Sequence, residues 1–284
     1  MIRLISSLLA IFLITACQKV DFDGEIEEEG NVTLTFTATD SDITRSGIGD
    51  YFQKLNVMLF SADGSKAFDK VRTQIMSDEN FGNMSMNLSP GTYIVVAVGH
   101  SSAKSATIKS PQDVRFTATD GEKLTDTFCY CGQIEVSEEP TCHSLVMHRA
   151  TAMFRLELTD EDIPEGAVRM KFDYTGGSAN FNPQTLEGIT KSTQSENRII
   201  EGKTYDIYTF PYFAKEGNIK VTVSALAADG TVIRQRVFEN VEITRNRMTV
   251  YKGQFFTGSD GNMIQEGVGF SVESDWEGQD TFGF

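Results

Sequence analysis

Apolar and polar residues alternate along most of this chain, and the period is two rather than 3.6. The stretch NVTLTFTAT, residues 31–39, sets Val32, Leu34, Phe36 and Ala38 against Thr33, Thr35 and Thr37, which predicts a strand with one buried face. LNVMLFSADGS gives a strand over 55–60 and a tight turn at Ala62-Asp63-Gly64. In LSPGTYIVVAVGHS, Pro90-Gly91 turns the chain into a strand over 92–98 that is apolar on both sides and therefore central in its sheet. Further strands are predicted at about 126–136, 143–158, 167–174, 205–213, 218–226, 231–239, 247–256 and 268–276. Helical patterns are few and short. Strands this closely spaced, separated by Asp-Gly and Pro-Gly turns, give an all-β fold built of β-sandwiches. A chain of 284 residues has room for two domains. The division is placed at Glu138-Glu139-Pro140-Thr141, giving an N-terminal sandwich over 31–140 and a C-terminal sandwich with a terminal strand over 141–284, although the same four residues also suit a hairpin turn. The polar span Leu186 to Lys203 reads as a long surface loop.

The first thirty residues break the alternation. Arg3 precedes an apolar run from Leu4 to Ile14, too short for a bilayer that needs about 20 residues, so residues 1–16 form a signal peptide. Ile14-Thr15-Ala16-Cys17 resembles a bacterial lipobox. That resemblance implies cleavage between Ala16 and Cys17, a diacylglyceryl thioether on Cys17 and acylation of the new amino end. Two or three acyl chains, at ~0.8 kcal/mol per buried methylene, make such an anchor effectively permanent. Residues 17–30, the lipidated Cys and a segment with Glu27-Glu28-Glu29 and no apolar period, form an acidic tether. Removing residues 1–16 takes away only Arg3, so the mature chain is one charge more negative than the whole.

Composition narrows the function. Forty acids against 25 bases give a net charge of −15, which excludes phosphate-binding partners and so nucleic acid. Hydrophobic residues at 40%, with 20 Phe, supply a real core. Gly99-His100-Ser101-Ser102-Ala103, after an apolar strand, looks like a degraded nucleophile elbow. The elbow needs a following helix and a surrounding α/β sheet, and neither is predicted. His143 and His148 stand five apart on one strand and so face opposite sides, and with Cys129, Cys131 and Cys142 they lack zinc spacing. Asp160-Glu161-Asp162 and Asp21-x-Asp23 lack the ligand order of a calcium loop. No metal, cofactor or catalytic set is therefore assigned. In an exported protein one disulfide is expected, between Cys142 and either Cys129 or Cys131, leaving one thiol over; in an anaerobe all three stay reduced. Sugar stacking would draw on 8 Tyr and the single Trp276.

Several stretches together resemble one family, the fimbrillin-A-associated anchor and minor-subunit lipoproteins of the fimbrillin-type (type V) pili of Gram-negative anaerobes. They are the lipobox; the Phe60 to Gly64 strand end; the Pro90-Gly91-Thr92-Tyr93 strand start; the Arg149 and Ala152 strand in LVMHRATAMFRLEL; TFPYF at 209–213; and Arg245, Asn246, Thr249 and Gly253 in NVEITRNRMTVYKGQFF. The resemblance implies two tandem transthyretin-like β-sandwiches and a structural, non-enzymatic role, lipid-anchored on the surface of the outer membrane. Fimbrial shaft subunits are the implied partners, joined by strand complementation. It also implies protease processing at Arg45, after the first strand, in subunits that polymerise. A chain cut at Arg45 is a polymerising subunit or adhesin; an intact one is an anchor, which the short tether favours. VGFSVESDW, Val268 to Trp276, reads as a donor strand or the last strand of its own sheet. A glycan-binding surface lipoprotein is the alternative from another class, and any host or bacterial surface ligand is left open.

Overall fold

The computed structural model describes residues 30–38, 48–117, 124–212, 217–257 and 278–283. Among these, the strands of the first half are β1 (Val32–Ala38), β2 (Lys54–Ser61), β3 (Arg72–Ile75), β4 (Asn83–Met86), β5 (Gly91–His100), β6 (Thr107–Ser110), β7 (Asp113–Arg115), β8 (Phe128–Val136) and β9 (Thr141–Arg149). Those of the second are β10 (Ala152–Leu158), β11 (Arg169–Thr175), β12 (Asn180–Asn182), β13 (Glu187–Gly188), β14 (Thr193–Ile199), β15 (Thr204–Thr209), β16 (Gly217–Leu226), β17 (Val232–Ile243), β18 (Arg247–Gly253) and β19 (Gly278–Gly283). The helical content among described residues is one 3-10 turn, Ile48–Asp50. The fold is all-β, as the alternation predicts.

Seven strands of the first half form one sheet in the order β3-β2-β5-β8-β9-β1-β4. It doubles over because β8 and β9 pair only at their root, Phe128 with Arg149 and Cys129 with His148. Beyond that point β8 stays antiparallel on β5, while β9 crosses to run parallel to β1 from Thr141 to Met147. The two flaps close on a core that includes Leu34, Phe36, Leu55, Val57, Val95 and Met147. β5 lies between β2 and β8, and its second apolar face has its own cover. Val96 and Val98, with Met58 and Phe60 of β2, pack on Ile108, Val114, Phe181 and Phe210. Those covering residues belong to a small sheet, β13-β12-β7-β6, drawn from both halves of the chain, and to the segment after β15. Each fully buried side chain of this kind contributes about 1.5–3 kcal/mol.

The second half is a sandwich of two four-stranded sheets, β15-β10-β18-β19 and β14-β11-β16-β17. Between them lie Phe154, Phe172, Tyr174, Val223, Phe238 and Tyr251.

The Glu138–Thr141 stretch links β8 to β9, and the strand that begins at Thr141 pairs with β1. Two sequence expectations are corrected. The single strand expected over 143–158 is two, broken at Ala150-Thr151, where the chain leaves one sandwich for the other. The expected surface loop Leu186–Lys203 carries β13 and β14. In β14 the polar positions point inward: Gln194 and Glu196 are buried while Ile199 is 69% exposed. A strand with its polarity reversed in this way does not look like one from the sequence.

Candidate functional site at the junction of the two halves

Residues flagged in the sequence meet where one sandwich gives way to the other. Arg149 ends β9 with its side chain 4% exposed. Its Nε donates to both carboxylate oxygens of Asp126 at 3.0 Å, and its Nη1 donates to Asn246 Oδ1 at 2.9 Å. The guanidinium also lies over the Phe128 ring, 4.6 Å from the centroid. Thr151 Oγ1 donates to Asp126 Oδ1 at 3.0 Å, and the Asn246 N–H donates to the Thr151 carbonyl at 2.9 Å. Arg245 Nη1 donates to the Arg149 carbonyl at 3.1 Å. Asn246 sits at φ 59°, a left-handed position that asparagine tolerates better than most residues, and so the β17–β18 turn can push its amide into the junction. Burial pushes the Asp126 carboxyl up, and Arg149 beside it pulls it back. Arg149 and the Arg245-Asn246 pair, far apart in sequence, are therefore the two sides of one knot, and Asp126 and Thr151 are members the sequence reading missed.

The Gly99–Ala103 stretch lies beside this knot and has a structural reason at each position. A Cβ on Gly99 would run into the Phe52 ring. His100 is fully buried; its Nδ1 accepts the Ser102 N–H at 3.1 Å, so its Nε2 carries the proton and donates to Asn56 Oδ1 at 2.9 Å. Burial, with Lys54 nearby, pulls the His100 pKa down to about 3. Ser102 Oγ lies 3.4 Å from Thr125 Oγ1, and Ser101 Oγ accepts the Gln53 N–H at 3.2 Å. The imidazole is spent on a backbone amide and an asparagine, so no serine here has a base.

The cysteines do not pair. Cys129 is buried, Cys131 is half-buried with its thiol toward the Pro111 carbonyl, and Cys142 is exposed, and the three form no disulfide with one another. β8 and β9 separate after the Cys129–His148 pair, and Cys142 lies six residues further along β9, about 20 Å at 3.3 Å per residue. A disulfide needs Cα atoms within about 7 Å, so the pairing expected for Cys142 with Cys129 or Cys131 does not fit this fold. His143 and His148 take opposite sides of β9, the first half-buried and the second exposed. Asp160 is not a solvated turn residue. Its carboxylate is buried and accepts the N–H groups of Phe255, Phe256 and Thr257 at 2.6, 2.9 and 3.0 Å, together with the Thr257 hydroxyl. Burial pushes its pKa up, but the hydrogen bonds from Phe255, Thr257 and Phe256 outweigh that and hold it below the usual value. Ala16, Cys17 and Arg45 lie outside the described residues, as does the Val268–Trp276 strand. Among the described residues no helix is long and apolar enough to cross a membrane.

A family model covers residues 23–282, from the tether to the last strand. The chain belongs to the DUF6562 family. That family is described as one of unknown function. No curated protein matches the chain. Among solved structures it is similar to the fimbrial anchor protein Mfa2 of Porphyromonas gingivalis, at 12% identity and TM-score 0.42, covering 72% of this chain and 80% of that one. It is also similar to a fimbrial assembly protein of Parabacteroides distasonis, at 12% identity and TM-score 0.41, covering 78% and 89%. A third is a candidate adhesin of Bacteroides ovatus, at 13% identity and TM-score 0.49, covering 73% and 77%.

Proposed function

We propose that the chain is a surface lipoprotein that holds a fimbrium to the outer membrane, as its anchor or a minor subunit, through lipid on Cys17. The observation that supports this most is the route from lipid to fold. Cys17 in its lipobox is followed by the acidic spacer and then at once by β1. β1 is no loose arm: it pairs with β9 from Val32 to Ala38 and with β4 from Val32 to Thr35, and Val32, Leu34 and Phe36 are buried. A pull on the lipid therefore loads hydrogen bonds on both sides of an interior strand. Contacts with neighbouring subunits run through strand exchange, a reading supported by β19, which lies parallel to β18 at the edge of its sheet. The other arrangement, a subunit cut at Arg45, would lose β1 and open a gap between β9 and β4 for a neighbour's strand.

Replacing Cys17 by alanine removes the proposed lipid site. The proposal predicts fimbrial shafts shed into the medium from cells carrying Cys17→Ala, measured by immunoblot of cell and medium fractions. Shafts retained on those cells would contradict it.

A further inference from the structure

Two clefts meet at Ser101. One, of about 610 Å3, opens between the halves, with Tyr51, Thr125 and Asp126 on one side and Thr204, Tyr205 and Tyr208 on the other. The second, of about 370 Å3, runs from Ser101 and Ser102 past Gln53 and Lys54 to Ile75 and Met76. Each falls in the range of small-ligand sites, and a seam between two units is a usual place for one.

Apart from Glu201, the charged groups around this groove are engaged within the protein. Lys54 Nζ donates to the carbonyls of Ser102 and Ala103 at 3.0 and 2.8 Å. Asp126 is held by Arg149 and Thr151, Asp206 takes both Nε and Nη2 of Arg155, and Arg198 is paired with Glu196. What remains for a ligand is hydroxyls, an amide and rings. Ser101 stands where the clefts join, Gln53 and Thr204 lie to either side, and Tyr51 and Tyr208 bring half-buried rings. Tyr205 has its hydroxyl fixed on the Gly202 carbonyl at 2.8 Å, whereas among the described residues no hydrogen bond ties down the Tyr208 hydroxyl. Rings that pack on C–H faces, beside neutral donors and acceptors, match a ligand that is itself neutral and covered with hydroxyls. An anionic polymer would instead meet Glu201 and a strongly negative chain.

We propose that this groove binds a neutral oligosaccharide, with Ser101 at its centre and the junction tyrosines along its wall. The site is independent of the fimbrial role, because it uses neither the lipid end nor β19. It would let a subunit fixed at the cell surface hold a glycan as well as a shaft.

The test is calorimetric titration of the full mature chain, in a detergent without a sugar headgroup, with maltoheptaose, cellohexaose, mannohexaose and xylohexaose. Sialyllactose and a synthetic peptide of residues 268–276 serve as an anionic and a peptide probe. The proposal predicts at least one neutral sugar binding with Kd below about 1 mM. Ser101→Trp, at an exposed position shared by both clefts, removes that binding. Tyr208→Phe keeps the ring and weakens it about 5-fold. Ser144→Trp, on exposed β9, leaves it unchanged. Thermal unfolding of each variant separates blockage from misfolding, and Tyr208→Phe carries the test should Ser101→Trp be unstable. Absence of binding by all four neutral sugars, binding indifferent to both groove variants, or preference for the peptide or the anionic sugar would overturn the proposal. None of these results bears on shaft retention by the Cys17→Ala cells, so the two proposals fail separately.

Discussion

His100 is the side chain whose local sequence suggested catalysis and whose surroundings explain it otherwise. Its Nδ1 faces a backbone N–H, so a second ring proton would point donor at donor. With the folded pKa near 3 and an unfolded value near 6.5, the unfolded chain binds more protons throughout that interval. Stability from this residue is therefore full above about pH 6.5 and falls as pH drops toward 3, by up to about 1.4 kcal/mol per pH unit. Urea unfolding between about pH 4 and pH 7 should show that slope, and His100→Gln should flatten it. Arg149 gives a second test. Truncation to alanine leaves the half-buried Asp126 without its guanidinium, at a cost of about 3 kcal/mol, while Arg149→Met, which keeps the packing on Phe128, should cost less than Arg149→Ala. Asp160→Ala strips one buried and two partly buried amides of their acceptor and should cost about 3 kcal/mol, where a solvated turn acid would cost almost nothing. Asp160 was not legible in the sequence because an acid beside Glu161 and Asp162 looks the same whether it is solvated or buried.

Strands with clean alternation were legible and strands with other patterns were not. β1 and β5 appear where the sequence places them, because one buried face or two leaves a plain mark on residue choice. The break at Ala150-Thr151 leaves no such mark, since LVMHRATAMFRLEL alternates acceptably straight through it. What breaks the strand is tertiary: the Ala150 N–H goes to the Thr127 carbonyl and Thr151 turns to Asp126. β14 hides for the opposite reason. Its inward Glu196 accepts the Tyr174 hydroxyl at 2.7 Å and Arg198 Nη2 at 2.6 Å, a network that replaces apolar burial. If β14 is this strand and not a loop, Glu196→Ala should cost about 3 kcal/mol in chemical denaturation, and Ile199→Thr, on the exposed side, no more than about 0.5 kcal/mol.

At the scale of the molecule, the sequence made the all-β class visible, while the path of β9 was not legible: it begins after a Pro-containing turn, yet pairs with β1 and ends in the junction knot. The residues of the resemblance acquire a physical role there, since Arg149 and the Arg245-Asn246 turn tie the strand leading from the first sandwich to the hairpin of the second. The ends of the chain carry the proposed function, with lipid at Cys17, an interior β1 next to it and an edge strand β19 at the far end. Everything in that account depends on the chain staying whole between Cys17 and β1. Mass spectrometry of the protein's amino terminus, taken from purified fimbriae, measures this directly. An anchor gives a mature start at an acylated Cys17 with β1 attached; a start at Ser46 would rule the anchor out.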